Sequence, residues 1–400
     1  MSEKIVDSRI VHDPITETFF HKVMLLFNRP ANWPDWILVG TILLLSVLCG
    51  SIFMLPYSDW QYALTIGIIQ LLFFTTDILI LTLLPLWRIS FGPWKAQFFP
   101  LALPRALATL VLGLLGLVVG WQLIFVLFMI VQAIGTAALI WGAIIEPGRL
   151  SLSELNIKID RDAESSDPIR ILHISDLHIE LLSRREEQLI HLIDEAQADL
   201  ILLTGDYINL SYNKDAGAYR RVGKFLARLQ APYGVYASLG TLAVDLRSFI
   251  VPMFKSSHVN LLCDSYQSVT VGKKGQLALI GIDCTHDIGD DAAVLQRVVN
   301  NIPSTLPKIM LYHSPELMPQ AIDLGIELYL CGHTHGGQVR LPLIGPIMTG
   351  SQLGRRYVMG FYEEKDTKLY VSRGVGFEGL SAPRVRFLAP PEVTLVRIEG

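Results

Sequence analysis

The hydrophobic pattern of the chain changes character once. Between Trp36 and Ile145 apolar residues run almost unbroken and charges are sparse. From Arg149 onward, short apolar runs alternate with polar turns and amphipathic stretches. The first pattern is that of membrane-crossing helices, each needing about 20 apolar residues. The second is that of a layered α/β domain. The change falls near Pro147 and Gly148. The predicted organisation is therefore a polar segment over 1–35, a transmembrane domain over 36–146, and an α/β domain over 150–400.

The first span is predicted at 36–55 and the second at 61–84, stopped by Pro85 and Arg88. The region 103–145 is about twice the ~20 residues a span requires. It divides at Gly120-Trp121-Gln122 into two helices, making four spans in all; one long tilted helix is the alternative. Lys4, Arg9, Lys22 and Arg29 precede the first span, and Arg88, Lys95 and Arg105 are assigned to the loop before the third. The turns 56–60 and 120–122 hold no Lys or Arg. The positive-inside rule then predicts a multi-pass protein of the inner or plasma membrane with its C-terminal domain in the cytoplasm. The polar start delays the first apolar run too long for a signal peptide. Asp77 falls inside the second span, where a carboxylate is a functional candidate by default. No ionisable partner is expected inside the spans, so a contact to a neighbouring helix or a polar tip near the interface is the expected role.

In the second region, buried strands are predicted at 169–174, 199–203, 234–239, 277–282, 308–312 and 327–331, with closing strands at 369–372 and 393–398. Helices are predicted at 184–196, 219–229 and 290–299. Polar residues gather just where strands end: Asp176 and His178, then Asp206, then His313, then His333 and His335. Open α/β sheets place their sites at such ends. Asp176 and His178 are two apart, so an extended backbone would point both side chains the same way. A lone His at a strand end is usually a core residue. Two carboxylates and four imidazoles at four strand ends are not explained that way. Six ligands exceed one tetrahedral ion, which points to a pair of metals. Carboxylate with imidazole suits Mn, Fe or Zn better than Ca or Mg.

Composition agrees with a chain that is part membrane protein, being 51% hydrophobic and only 18% charged. A net charge of -4 provides no nucleic-acid footprint. The four cysteines have no metal-knuckle spacing and are predicted reduced.

The order D-x-H, G-D, a lone His, then G-H-x-H resembles the calcineurin-like metallophosphoesterases, from about Arg170 to the C-terminus. The stretch from Cys331 to Pro342, Ser372-Arg373-Gly374 and Pro390-Pro391-Glu392-Val393 are similar to a membrane-bound branch of UDP-2,3-diacylglucosamine pyrophosphatase-type phosphoesterases. The resemblance implies a four-layer α-β-β-α sandwich. It implies that Asp176, His178 and His335 hold one metal, that His313 and His333 hold the other, and that Asp206 bridges them. It also implies a hydrolase of phosphoester or phosphoanhydride bonds, in which a metal-bridging hydroxide attacks phosphorus and Asp206 and His313 count as catalytic. Manganese is the first expectation for both ions, with iron or zinc as alternatives. The expected partners are the lipid bilayer and a phosphorylated small-molecule or lipid substrate, not nucleic acid.

One segment departs from the family pattern. Where the family has G-N-H-D/E, this chain has Gly240-Thr241-Leu242-Ala243-Val244-Asp245. Thr241 replaces the Asn that ligates the second metal, and Leu242 replaces the His that contacts substrate; Asp245 could swing in as a substitute. The second metal is then expected to bind more weakly. Leaving-group protonation, worth about 10²–10⁴-fold, is expected to be impaired, which favours phosphoanhydrides and aryl esters. Thr241 and Arg340 are candidate substrate contacts, with Arg355, Arg356 and Arg373 as lesser ones for which a solvated loop face is the first expectation; Asp283 ends a strand and is expected to support the site, with His286 close by. His173 is expected in the core and His191 on a surface or in packing. A non-catalytic family member with a degraded site, and a transport or scaffold protein with a regulatory domain, are the competing readings.

Overall fold

The computed structural model describes residues 14–89, 91–377, 379–380 and 384–400. Lys4 and Arg9, two of the cations in the orientation argument, lie outside them. The chain divides into two compact units. One is helical and spans Lys22–Pro147 with a short stretch around Leu380 and Arg384; the other comprises, among the described residues, 14–21, 148–377 and 386–400 and is built on sheets.

The helical unit contains α1 (Asp35–Ser51), α2 (Trp60–Leu83), α3 (Trp94–Leu115) and α4 (Trp121–Ile140). All four are long and apolar enough to cross a membrane. Helix α3 begins at Trp94, inside the stretch expected to be a loop, and carries Pro100 and Pro104 within it. Such prolines are tolerated in apolar helices because neighbouring groups take up the freed carbonyls.

The early start of α3 overturns one expectation. Arg105 is not a loop cation; it is buried within the helix and pairs with Asp77. The pair is two-pronged, Nε to Oδ2 at 2.7 Å and Nη2 to Oδ1 at 2.8 Å. Nη1 donates to the Gln132 carbonyl at 2.7 Å, and Nη2 also reaches Thr136 Oγ1 at 2.8 Å. Gln132 Nε2 donates to Thr109 Oγ1, and that hydroxyl to Gln70 Oε1. One polar chain thus ties α2, α3 and α4 together. Buried polar groups need such partners, since each unpaired one costs several kcal/mol in an apolar medium, roughly 2–7.

The sheet unit has β1 (Ser151–Lys158), β2 (Ile169–Ile174), β3 (Leu200–Thr204), β4 (Val235–Ser238), β5 (Asn260–Leu261), β6 (Ser265–Thr270) and β7 (Gln276–Gly281). It continues with β8 (Lys308–Leu311), β9 (Leu328–Cys331), β10 (Arg340–Leu341), β11 (Gly345–Pro346), β12 (Gly360–Glu364), β13 (Thr367–Val371) and β14 (Glu392–Glu399). One sheet runs β1-β14-β2-β3-β4-β5, the other β12-β13-β9-β8-β7-β6, and β10-β11 is a separate hairpin. Strands β2, β3 and β4 are parallel, as are β7, β8 and β9.

The side-chain alternation along these strands builds three apolar layers. Ile201 and Leu203 pack with α5 (Arg184–Ala196), α6 (Ala216–Leu226) and α7 (Arg247–Lys255). Leu200 and Leu202 pack between the sheets with Ile309, Leu311, Leu328 and Leu330. Met310 and Tyr329 pack with α8 (Ile288–Val299) and α9 (Met318–Asp323). The result is a four-layer α-β-β-α sandwich. Its central strands are apolar on both faces because both faces are covered.

Candidate active site

Four central strands stop just short of the residues singled out from the sequence. β2 ends at Ile174, before Asp176 and His178; β3 at Thr204, before Asp206; β8 at Leu311, before His313; β9 at Cys331, before His333 and His335. The convergence is real, but its cause differs from the expectation for Asp176 and His178. Neither lies in extended backbone: their φ angles are +51° and +43°. Asp206, His333 and His335 are also left-handed, at +55°, +69° and +50°. Such backbone is uncommon for non-glycine residues and clusters at functional sites. Glycines make room for it. A Cβ on Gly332 would lie 2.0 Å from Asp176 Oδ2, and one on Gly240 would lie 2.2 Å from the Asp206 nitrogen.

All six side chains are buried. Five of them, all but His333, form two overlapping groups that could each hold an ion, Asp176 with His178 and His335, and Asp176 with Asp206 and His313. His178 Nε2 is 3.2 Å from His335 Nε2 and 3.6 Å from Asp206 Oδ2. His313 Nε2 is 3.3 Å from Asp206 Oδ2 and 3.9 Å from Asp176 Oδ1. The His333 ring sits 5.1 Å from that of His313.

The outer ring nitrogens set the tautomers. His313 Nδ1 lies 2.7 Å from the Thr204 carbonyl and His333 Nε2 lies 3.3 Å from the Gly350 carbonyl. A carbonyl only accepts, so these nitrogens carry the protons. In the neutral rings His313 Nε2 and His333 Nδ1 are then left with lone pairs, the arrangement typical of metal-ligating histidines. The donor set of two carboxylates and four imidazoles therefore fits a pair of divalent ions.

Charge is concentrated here. Burial would raise the Asp206 carboxyl, but the charge and hydrogen bond of His313 hold it well below the usual range. Burial opposes protonation of His313, yet without a bound ion Asp206 and then Asp176 lift it to about 10, so an ion at Nε2 would displace a proton. His335 goes the other way: burial, His178 and the Arg386 guanidinium keep its ring neutral.

The departing segment also takes a definite place. The Thr241 amide donates to Asp206 Oδ1 at 2.8 Å, so the threonine does border the site. Asp245 does not swing in as a substitute ligand. It accepts from the amides of Asp206, Tyr207 and Gly240, each at 2.9 Å, and so fixes the backbone beneath the site. Asp283 turns away to Arg247. His286 is drawn in beside Thr241, with Nε2 3.4 Å from Oγ1; burial and then His333 and His313 keep it neutral. His173 is in the core, bonded to Thr204 Oγ1 at 2.9 Å, and His191 is on the surface.

The arginines are largely engaged with the protein. Arg340 Nη1 donates to the Gly336 carbonyl at 2.9 Å; Arg355 bonds the Ile344 and Pro346 carbonyls; Arg356 pairs with Glu364 and Arg373 with Glu392. Sequence reasoning missed Arg386. It is fully buried, donates to the carbonyls of Arg373, Gly374, Gly376 and Ala389, and approaches His335 Nδ1 at 3.4 Å. Its only sequence signal is a cation between Val385 and Phe387.

Comparison with known proteins decides the family. Residues 169–240 match the model of the calcineurin-like phosphoesterases. The sheet unit is a calcineurin-like metallophosphoesterase domain. The chain is 29% identical over 263 residues to YkuE of Bacillus subtilis, an uncharacterized metallophosphoesterase, covering 64% of this chain and 88% of that one. It is 28% identical over 260 residues to the phosphodiesterase YaeI of Escherichia coli, covering 63% and 90%. It is 25% identical over 312 residues to the UDP-2,3-diacylglucosamine pyrophosphatase LpxG of Chlamydia muridarum, covering 64% and 92%.

Proposed function

We propose that this chain is a membrane-anchored, dinuclear metal-dependent phosphoesterase whose substrate is a lipid-linked phosphoester or phosphoanhydride. The observation that carries the reading is the pair of overlapping ligand groups on Asp176, His178, Asp206, His313 and His335. In this reading Asp176, His178 and His335 hold one ion, His313 and His333 the other, and Asp206 bridges them. Manganese is the first choice for both. Bound there, two divalent ions would polarise a phosphoryl oxygen and make a water nucleophilic at neutral pH. The Thr241 segment lines the substrate side of Asp206. Arg340, anchored on the Gly336 carbonyl beside His335, is the proposed cationic contact to phosphate.

Two features favour a lipid-linked substrate. The hairpin that follows His335 exposes Leu341, Leu343, Ile344, Ile347 and Met348. One of the relatives is named for a substrate with two acyl chains. For sidedness, with Arg105 inside α3, Arg88 lies between α2 and α3 and Lys95 in the first turn of α3, with Lys22 and Arg29 before α1. Residues 58–59 and 116–120 hold neither Lys nor Arg, so the domain is assigned to the cytoplasmic side.

The test is hydrolysis of bis-p-nitrophenyl phosphate by the full chain in detergent with Mn²⁺, beside His335→Ala. Metal-dependent turnover should fall by more than about 100-fold in the variant, beyond what loss of a ligand's outer partner does. A folded, metal-loaded wild type without turnover on diester, monoester and pyrophosphate substrates would favour the degraded-site reading instead.

A further inference from the structure

We infer that His286 is a ligand of the second metal ion, replacing the Asn that the family's G-N-H-D segment supplies and this chain lacks. The inference rests on the dinuclear reading. It begins with position. Thr241 occupies the Asn place, and its hydroxyl is a weak neutral donor. His286 Nε2 lies 3.4 Å from that hydroxyl, a spacing that two ligands of one ion adopt. Its ring centre is 4.9 Å from that of His333, which is 5.1 Å from that of His313. The His286 ring thus neighbours that of His333, which neighbours that of His313, and Thr241, beside His286, donates its amide to Asp206.

The backbone carries a second, independent mark. His286 has φ +60°, in the same left-handed region as Asp176, His178, Asp206, His333 and His335. Strain of this kind persists only where the surroundings impose it. Those surroundings are rigid. Thr285 bonds Asp291 through both its amide, at 3.0 Å, and its hydroxyl, at 2.7 Å. Tyr312 Oη holds the same carboxylate at 2.6 Å. Gln352 Nε2 donates to the His286 carbonyl at 2.9 Å. Cys284 Sγ packs at the ring edge, 3.6 Å from Nε2. The imidazole is presented to the site by a fixed turn and is only 3% exposed.

The chemistry changes with it. The second site becomes one carboxylate and three imidazoles instead of a carboxylate, two imidazoles and a carboxamide. Nitrogen-rich sets favour zinc or iron over magnesium. The loss at Thr241 is then a relocation of the ligand to a neighbouring turn.

The test uses the full chain in detergent, stripped and reloaded with Mn²⁺, and counts bound ions by mass spectrometry alongside electron paramagnetic resonance. Wild type should hold two ions per chain with an exchange-coupled spectrum. His286→Ala should hold one tightly, with the second weakened at least about 10-fold, and should show an isolated-ion spectrum. Adding Thr241→Asn to His286→Ala should restore the second ion, which repair of a merely structural defect would not. Two tightly bound, coupled ions in His286→Ala would overturn the inference, as would a loss that Thr241→Asn does not rescue. A wild type that binds no ion would overturn the dinuclear reading itself, and this inference with it.

Discussion

Both units bury charge, and they do so in opposite ways. In the helical unit, both Asp77 oxygens are met by Arg105, whose remaining donors go to Gln132 and Thr136. Apart from Gln70 Nε2, the chain of bonds closes on itself. In the sheet unit, nitrogens and carboxylate oxygens converge without closing. His178 Nε2 faces His335 Nε2 at 3.2 Å, and His313 Nε2 stands 3.3 Å from Asp206 Oδ2 and 3.9 Å from Asp176 Oδ1. Closure marks a structural network; convergence marks a place for something else. An ionisable residue in apolar surroundings is therefore not a functional sign by itself. The accounting of its partners is what separates the two cases.

The sharpest way to break this comparison is to delete charge in the helical unit. Removing one member of a buried pair leaves the other uncompensated and costs about 3–5 kcal/mol, whereas replacing both with apolar groups of similar volume is often near neutral. Arg105→Met or Asp77→Leu alone should lower the unfolding free energy of the helical unit by about 3–5 kcal/mol. The double variant should recover most of that and still hydrolyse a soluble diester. Denaturation in detergent and an activity assay on the same samples decide it. A folded, metal-loaded double variant without turnover would mean that the pair serves the reaction. No such double replacement is expected to rescue Asp206 and His313, whose partners are not each other alone.

The contrast also explains what was legible in the sequence. The six candidate ligands stood out because their strands are apolar on both faces and stop just before an Asp or His. The central strands and α5 were readable for the same reason. Edge strands were not. β1, β6 and β12 are half exposed and polar, so Ser265-Tyr266-Gln267-Ser268-Val269-Thr270 carries no strong signal. The left-handed backbone at Asp176 and His178 was invisible, because the room for it comes from Gly332, Gly374 and Gly376, far along the chain. Arg105 was misplaced because a charge near two prolines reads as a loop. Only its partner Asp77, in another helix, makes it a helix interior. His286 stayed ambiguous since nothing local joins it to Thr241.

A smaller effect tests a histidine that belongs to neither network. His173 is fully buried, and burial pushes its pKa down to about 3. Above pH 6.5 the imidazole is neutral in both states and costs nothing. Below that, the unfolded chain takes up a proton that the folded chain refuses. Stability should therefore fall by about 1.4 kcal/mol per pH unit down to about pH 3. His173→Gln can keep the bond to Thr204 without titrating. Between pH 6 and pH 4 wild type should lose about 3 kcal/mol more than the variant, the slope taken over two pH units. Parallel melting curves across that window would instead mean that the ring is solvated or protonated in the native state.

The smallest stability effect concerns apolar surface, where the units differ again. The helical unit exposes large apolar side chains along every span, such as Trp36, Val47, Leu72 and Val126. In the sheet unit, among the described residues, half of them crowd into the hairpin from Leu341 to Met348. Leu343 is wholly exposed, so Leu343→Ser with Ile344→Ser should change stability by no more than about 0.5 kcal/mol. If the hairpin meets acyl chains of the proposed lipid substrate, each lost contact is worth about 1.5–3 kcal/mol. Hydrolysis of a vesicle-borne phospholipid analogue should then fall by at least tenfold through KM, while bis-p-nitrophenyl phosphate turnover stays unchanged. A matched fall in both would place the hairpin in the architecture of the metal site. No change in either would remove the lipid argument and leave the metal centre to be explained by a soluble phosphoester.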